Sequence, residues 1–247
     1  MLEKIRIILV EPSHMGNIGS TARAMMNMGL TSLYLVNPKQ MPDVESHQLA
    51  SGASSVLSSA KVKQSLTDAL DGVGLVIGTS ARARKLSLPV IDVREAAKDA
   101  CYYLSTTSHT EDEVAIIFGR ERTGLYNDEL LMCHKQLYIP TNEAYNSLNL
   151  AQAVQIIAYE MRMAMLNISN EQDLPKLPYI KKATQRQYEG FYEHLSQVLV
   201  ASDFLDPNNP GLVMERMKRI FQRTQLEESE IHLLRGILKQ ILIQINS

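Results

Sequence analysis

Four segments of this chain collect small polar side chains directly after an apolar run, and three of them contain glycine. After the first run comes Glu11-Pro-Ser-His-Met-Gly16-Asn17-Ile-Gly19-Ser20-Thr-Ala-Arg23, and after the third Gly78-Thr79-Ser80-Ala81. The strongest run is followed by Gly119-Arg-Glu121-Arg-Thr-Gly124, and the last by Pro140 to Asn149. Glycine lets a backbone turn sharply or approach a ligand closely, and in an open α/β sheet ligands bind beyond the carboxyl ends of the strands. One such segment is usually only a turn; several at one end of one sheet point to a binding site. The pattern is neither GxGxxG nor GxxxxGK[ST], so a dinucleotide fold and a P-loop lose their main support. The histidines show no HxxxH or related spacing, and Cys101 and Cys133 form no CxxC pair, so no metal requirement is expected. Both cysteines read as buried small hydrophobes.

Those segments need a scaffold, and the first two thirds of the chain supply one. Ile5–Val10, Ser32–Val36, Val73–Ile77, Val114–Phe118 and Leu137–Ile139 read as short strands. Between them Gly19–Met28, stopped by Gly29, and Ile91–Leu104 read as helices. Apolar runs rather than in/out alternation predict a mostly parallel sheet covered by helices on both faces. Ser147 is placed as the cap of a long helix in which Leu150, Val154, Ile157, Met161 and Met165 form one stripe. Residues 169–180, polar with two prolines, read as a linker. Beyond it the strand signals stop. Tyr188, Phe191, Leu195 and Val198 mark one helix, Asn208-Asn-Pro-Gly a turn, and Ile231, Leu234, Leu238, Ile241 and Ile245 a last amphipathic helix. The expected organisation is an α/β catalytic domain over residues 1–168, a linker over 169–180 and a small all-α domain over 181–247.

Asn17-Ile-Gly19-Ser-Thr-Ala-Arg23, Ile117-Phe-Gly119-Arg-Glu121-Arg-Thr-Gly124-Leu125 and Ser147-Leu148-Asn149-Leu150-Ala151 resemble the three ordered motifs of the SPOUT RNA methyltransferases. With Thr79-Ser80-Ala81 and the helical tail, the chain is most similar to the members that methylate a cytidine or uridine ribose in bacterial tRNA. The resemblance covers residues 1 to about 165 well and the tail more loosely. It implies a C-terminal trefoil knot, which no pattern argument would propose, a homodimer, and S-adenosylmethionine bound inside the knot. By matching motif the cofactor would lie against Thr79, Ser80, Ala81, Gly119, Ile139, Asn146, Ser147 and Leu148; apolar walls with a few backbone donors and acceptors suit an adenine. The chain reads Asn142-Glu143-Ala144-Tyr145 where relatives often have Asn-Pro-Glu-Tyr.

A ribose 2′-hydroxyl is a poor nucleophile at neutral pH, whereas the methyl donor is already activated by its sulfonium. Alignment of oxygen, methyl and sulfur then supplies much of the rate. The resemblance assigns Arg23, Asn17 and Glu121 to catalysis. Arg23 stays protonated, which favours a phosphate anchor and polariser of the 2′-oxygen; taken alone it is an ordinary exposed helix arginine. Asn17 is expected to cap the helix beginning near Gly19, a role compatible with positioning Arg23 or the ribose. Glu121 either orients Arg23 or the loop, or is a solvated charge between Arg120 and Arg122, which could meet phosphate. Ser147 and Asn149 are expected as both helix cap and cofactor loop, and His14 as a bystander near the RNA.

Lys and Arg total 25 against 27 Asp and Glu, a net charge of −2, and apolar residues make up 45%. This excludes a disordered chain and argues against promiscuous polyanion binding, but local patches matter more than the total. Arg82 and Arg84 (with Lys85), and Lys181, Lys182 and Arg186 around the linker, are the expected RNA contacts; Arg216, Lys218, Arg219 and Arg223 form a further cluster. The N-terminus reads as a strand rather than a signal peptide, no run approaches the ~18 apolar residues of a membrane span, and a cytoplasmic protein is expected. The function expected is 2′-O-methylation of cytidine or uridine at position 32 of the tRNA anticodon loop. Another tRNA or rRNA site, a non-catalytic RNA-binding adaptor and, third, a nicotinamide dehydrogenase are the rivals.

Overall fold

The computed structural model describes residues 1–41, 50, 52–81, 88–106, 112–170 and 181–245. Among these, seven parallel strands make one sheet: β1 (Ile5–Val10), β2 (Ser32–Val36), β3 (Lys61–Lys63), β4 (Val73–Thr79), β5 (Val90–Asp92), β6 (Glu113–Phe118) and β7 (Lys135–Tyr138). Their order is β3-β2-β1-β6-β4-β7-β5. β1 and β6 are central and buried almost throughout. Their side chains alternate between the two faces, as a strand's must. Ile5, Ile7 and Leu9 with Val114, Ile116 and Phe118 join one core cluster; Ile8 and Val10 with Ala115 and Ile117 join another. Full burial of each Ile, Leu or Val stabilises the fold by about 1.5–3 kcal/mol, so the sheet is anchored at its centre.

The first face carries α1 (Met15–Met28), α2 (Ser54–Ser58), α4 (Val93–Thr106) and α6 (Leu150–Asn170). Leu150, Val154, Ile157 and Met161 of the expected stripe are buried there, while Met165 is half-buried. The opposite face carries α3 (Leu66–Leu70) and the short α5 (Asn127–Leu130). Helices on both faces of a parallel sheet are thus observed.

Two strands were hidden in the sequence. β3 is two lysines around a valine, and β5 is three residues that the helical pattern had absorbed from Ile91 onward. Both are sheet edges, where short polar strands protect against edge-to-edge pairing. Two helix starts also move. α1 begins at Met15 rather than near Gly19, so Asn17 lies in its first turn and His14 occupies the cap position. α6 begins at Leu150, and Asn149 rather than Ser147 caps it, Asn149 Oδ1 accepting from Ala151 N at 2.9 Å. That helix runs to Asn170, two residues into the expected linker, whose remaining residues 171–180 lie outside the described residues.

The tail forms α7 (Gln185–Ala201), α8 (Val213–Thr224) and α9 (Glu228–Ile245), joined by their own core of Tyr188, Phe191, Tyr192, Leu195, Val198, Ile231 and Leu238. Ile241 and Ile245, expected on the same stripe, are exposed. The tail rests on the second face of the sheet. Buried Gln222 donates from Nε2 to the carbonyl of Met132 at 2.9 Å, Thr67 Oγ1 donates to Glu189 Oε1 at 2.9 Å, and the rings of His134 and Tyr188 meet edge to face at 6.1 Å.

Candidate active site

Strand order decides which loops meet. β7, β4, β6 and β1 are consecutive neighbours, so the segments after them converge beyond the carboxyl end of the sheet. A cleft of about 390 Å³ opens there, and Thr79, Ser80, Ala81, Gly119, Ile139, Asn146, Ser147 and Leu148 all line it. Phe118, Leu137 and Leu150 add apolar wall. Ser80 N donates to the carbonyl of Leu137 at 2.9 Å, tying the loop after β4 to β7. At Gly119 an added Cβ would lie 2.1 Å from the carbonyl carbon of Gly124; only glycine allows the returning loop to close this tightly. The departure at 142–145 keeps its turn without a proline: Tyr145 N donates to Asn142 O at 2.9 Å and Ala144 N to Asn142 Oδ1 at 3.0 Å. Such an asparagine turn is a recognised local substitute for backbone pairing.

Beside the cleft runs a polar network. The Glu121 carboxylate accepts from Ser13 N at 3.2 and 3.3 Å, Ser13 Oγ at 2.9 Å, His14 N at 3.3 Å and Asn17 Nδ2 at 3.2 Å. Asn17 Oδ1 in turn accepts from Asn149 Nδ2 at 2.9 Å. A carboxylate at the amino end of α1 also answers the positive end of the helix dipole. Burial works to raise the Glu121 pKa, but its backbone hydrogen bond and those from Asn17 and Ser13 prevail and hold it below the usual carboxylate value. Glu121 is therefore an ionised clasp on the start of α1, which removes the expectation of a merely solvated charge. It makes no ion pair with Arg23. Arg23 is exposed on α1, one turn beyond Ser20 on the same face, and has no hydrogen-bond or ion-pair partner among the described residues.

The arginines beside Glu121 part company. Arg120 is nearly buried, with Nη2 2.5 Å from Glu11 Oε1 and Nη1 3.0 Å from Glu129 Oε2, and it lies over the Tyr126 ring at 3.8 Å. The expectation that it meets phosphate is corrected: its charge is consumed inside the protein. Arg122 is exposed. Glu11 and Glu129 were missed, because their partner lies more than a hundred residues away in one case and nine in the other. Of the expected RNA contacts, Lys181 pairs with Glu228 at 2.8 Å, Lys182 is half-buried, and Arg186 is exposed without an ion-pair partner among the described residues. Arg82 and Arg84 lie outside the described residues. Cys101 and Cys133 are both free and buried as read. Among the described residues no helix is long and apolar enough to cross a membrane, and no cluster of candidate metal ligands occurs.

A family model described as the SpoU rRNA Methylase family matches residues 4–159. The chain belongs to the SpoU methylase family. A second model, the C-terminal domain of the tRNA methyltransferase TrmJ, matches residues 186–247. The chain is 50% identical over 241 residues to the tRNA (cytidine/uridine-2′-O-)-methyltransferase TrmJ of Photorhabdus laumondii subsp. laumondii, covering 98% of each chain. The crystal structure of TrmJ from Z. mobilis ZM4 superposes with a TM-score of 0.80 at 30% identity, covering 96% of this chain and 98% of that one. The SpoU methyltransferase AviRb from Streptomyces viridochromogenes, in complex with the cofactor AdoMet, shares the fold at a TM-score of 0.53 and 21% identity over 68% of this chain and 62% of that one. The two family models thus match separate, consecutive stretches of the chain.

Proposed function

We propose that this methylase transfers a methyl group from S-adenosylmethionine to a ribose 2′-hydroxyl of tRNA, with cytidine or uridine at position 32 of the anticodon loop as the target. One observation carries the reading: the eight residues that the motifs assign to the cofactor line a single cleft, and the Glu121–Asn17–Asn149 network ties that cleft to the helix bearing Arg23. The near full-length likeness to TrmJ supports tRNA as the substrate.

The cleft fits the cofactor. Ile139, Leu148, Leu137 and Phe118 give apolar walls for an adenine, and the backbone of 79–81 and 146–148 gives donors and acceptors. When bound, the cofactor supplies a methyl group already activated by its sulfonium. The chain's own work is alignment and charge. Gly119 keeps the loop close, Asn149 joins the cofactor loop to α1 through Asn17, and Arg23 anchors a phosphate and polarises the 2′-oxygen as it attacks. A cation held beside the 2′-oxygen favours its deprotonated form, so the hydroxyl proton passes more readily to water as the oxygen attacks.

The same reading takes residues 1–168 as the catalytic domain, its last strand and helix threaded as a trefoil knot, and residues 181–247 as a tRNA-recognition domain on a linker. Arg82, Arg84, Lys181, Lys182 and Arg186 meet RNA, two copies form a homodimer, no metal takes part, and the enzyme works in the cytoplasm. A non-catalytic adaptor has no need of the Asn17–Glu121–Asn149 network. Mass mapping of 2′-O-methyl nucleosides in tRNA, with and without the protein, tests the reading. The expected result is a methyl group at position 32 only when the protein is present; an unmodified anticodon loop overturns the substrate.

A further inference from the structure

Glu121 can seat α1 only if its own loop is held in place, and that loop is small. Arg120 N donates to Gly124 O at 3.2 Å and Gly124 N to Arg120 O at 2.8 Å, so residues 121–123 are a closed tip that moves with Arg120. Arg120 is in turn fixed from two sides. Nη2 reaches Glu11 Oε1 at 2.5 Å and Glu129 Oε1 at 3.0 Å, while Nη1 reaches Glu129 Oε2 at 3.0 Å. Glu129 also accepts from Tyr126 N at 2.6 Å, and the guanidinium covers the Tyr126 ring. Glu11 directly follows β1 and lies two residues before Ser13, the first donor to Glu121.

The loop is therefore fastened to the start of α1 twice, by Arg120 to Glu11 and by Glu121 to Ser13, His14 and Asn17. A planar guanidinium can grip one carboxylate with two parallel bonds and still reach a second; an ammonium cannot. Without Arg120, Glu11 and Glu129 would lose their shared cation, and removing one partner of a part-buried pair leaves an uncompensated charge. The cheapest relief is for the loop to swing out, taking Glu121 off Asn17.

We propose that Arg120 is a positioning residue for methyl transfer: its clasp on Glu11 and Glu129 sets the loop so that Glu121 holds the first turn of α1 beside the cofactor cleft. This rests on the functional reading above for its effect on turnover, though not for its effect on structure.

The test uses the full chain with Arg120→Met and Arg120→Lys. Amide exchange over residues 11–18 should speed about tenfold in Arg120→Met while the β1 and β6 amides keep their protection. In the same variant kcat for tRNA should fall at least tenfold, a larger change than the rise in cofactor KM, since Arg120 and its loop also line the cleft. Arg120→Lys, which keeps the charge without the fork, should recover part of both. Unchanged exchange over 11–18 overturns the proposal, as does a loss of activity matched by equal loosening everywhere. If Arg120→Met fails to fold, Glu11→Gln removes one partner and leaves Glu129, and the same two readouts decide. If the wild-type chain methylates no tRNA, the functional reading fails, while the exchange data still judge the clasp.

Discussion

Arg23 illustrates how little of a side chain's role its own surroundings have to reveal. It is exposed and unpaired among the described residues, which is the state expected of a group whose partner is an RNA phosphate and also of an idle surface arginine. What separates the two is its place on the helix that Glu121 and Asn17 fasten to the cleft. Arg23→Ala should lower methyl transfer by at least a hundredfold, about 3 kcal/mol of transition-state stabilisation, and leave cofactor affinity within about threefold. Turnover within tenfold of wild type, measured alongside calorimetric cofactor binding, would remove it from the site. The motifs made Arg23, Asn17 and Glu121 legible in the sequence, and the structure joins Asn17 and Glu121 directly. Glu11 and Glu129 were illegible because an ion pair leaves no mark on spacing; only folding shows that one arginine serves both.

Strands and loops divide along the same line. Central strands announce themselves by unbroken apolar runs because both faces are buried, as in Val114–Phe118. Edge strands do not, since Lys61 and Lys63 are chosen for solubility rather than burial. Helix starts drifted because asparagine and serine suit several positions near a helix end, and only geometry shows that Asn149 is the cap. The loop after β6 carries a sharper expectation. Gly119→Ala would force the Gly124 backbone away by more than an ångström, so cofactor affinity should fall at least tenfold while the far edge of the sheet is unchanged; isothermal titration and amide exchange check both halves.

β7 is held from behind by His134, whose Nδ1 accepts from Val76 N at 2.9 Å. Burial pushes the pKa of His134 down to about 4 from an ordinary 6.5. The unfolded chain therefore takes up a proton first on acidification, so stability is lost as pH falls from 6.5 toward 4 and is fully present above that window. His134→Asn, which offers an acceptor that does not titrate, should flatten the fall over this range in denaturant titrations at stepped pH. An equally steep fall in the variant would assign the slope elsewhere.

Among the described residues the sheet, with a core on each face, and the helical tail, with its own core, meet through a polar weld. Gln222 is fully buried, donates to Met132 O and to Gln185 Oε1 at 3.2 Å, and accepts from Tyr192 Oη at 3.3 Å. Gln222→Ala takes the donor from the part-buried Met132 carbonyl and from buried Gln185 Oε1, a cost of about 1–3 kcal/mol. The helical part should then lose exchange protection before the sheet does, and tRNA affinity should fall more than cofactor affinity; equal loosening of both parts would show that the weld does not set their coupling. Hydrophobic period alone revealed the sheet and the helical tail, but the contacts between them through Gln222, Thr67 with Glu189, and His134 follow no pattern.

The two thiols give this architecture a clock. Cys101 offers its hydrogen to Met161 O on one side of the sheet and Cys133 to Glu129 O on the other, both at zero exposure. Burial pushes the Cys101 thiol up to about 11 and the Cys133 thiol higher still, so neither is a nucleophile while the protein is folded. A pulse of alkylating reagent therefore reads only the moments when a layer parts from the sheet. Because one cysteine lies on each side, the mass label on its peptide records which side opened and how often, in the native chain and without an added probe.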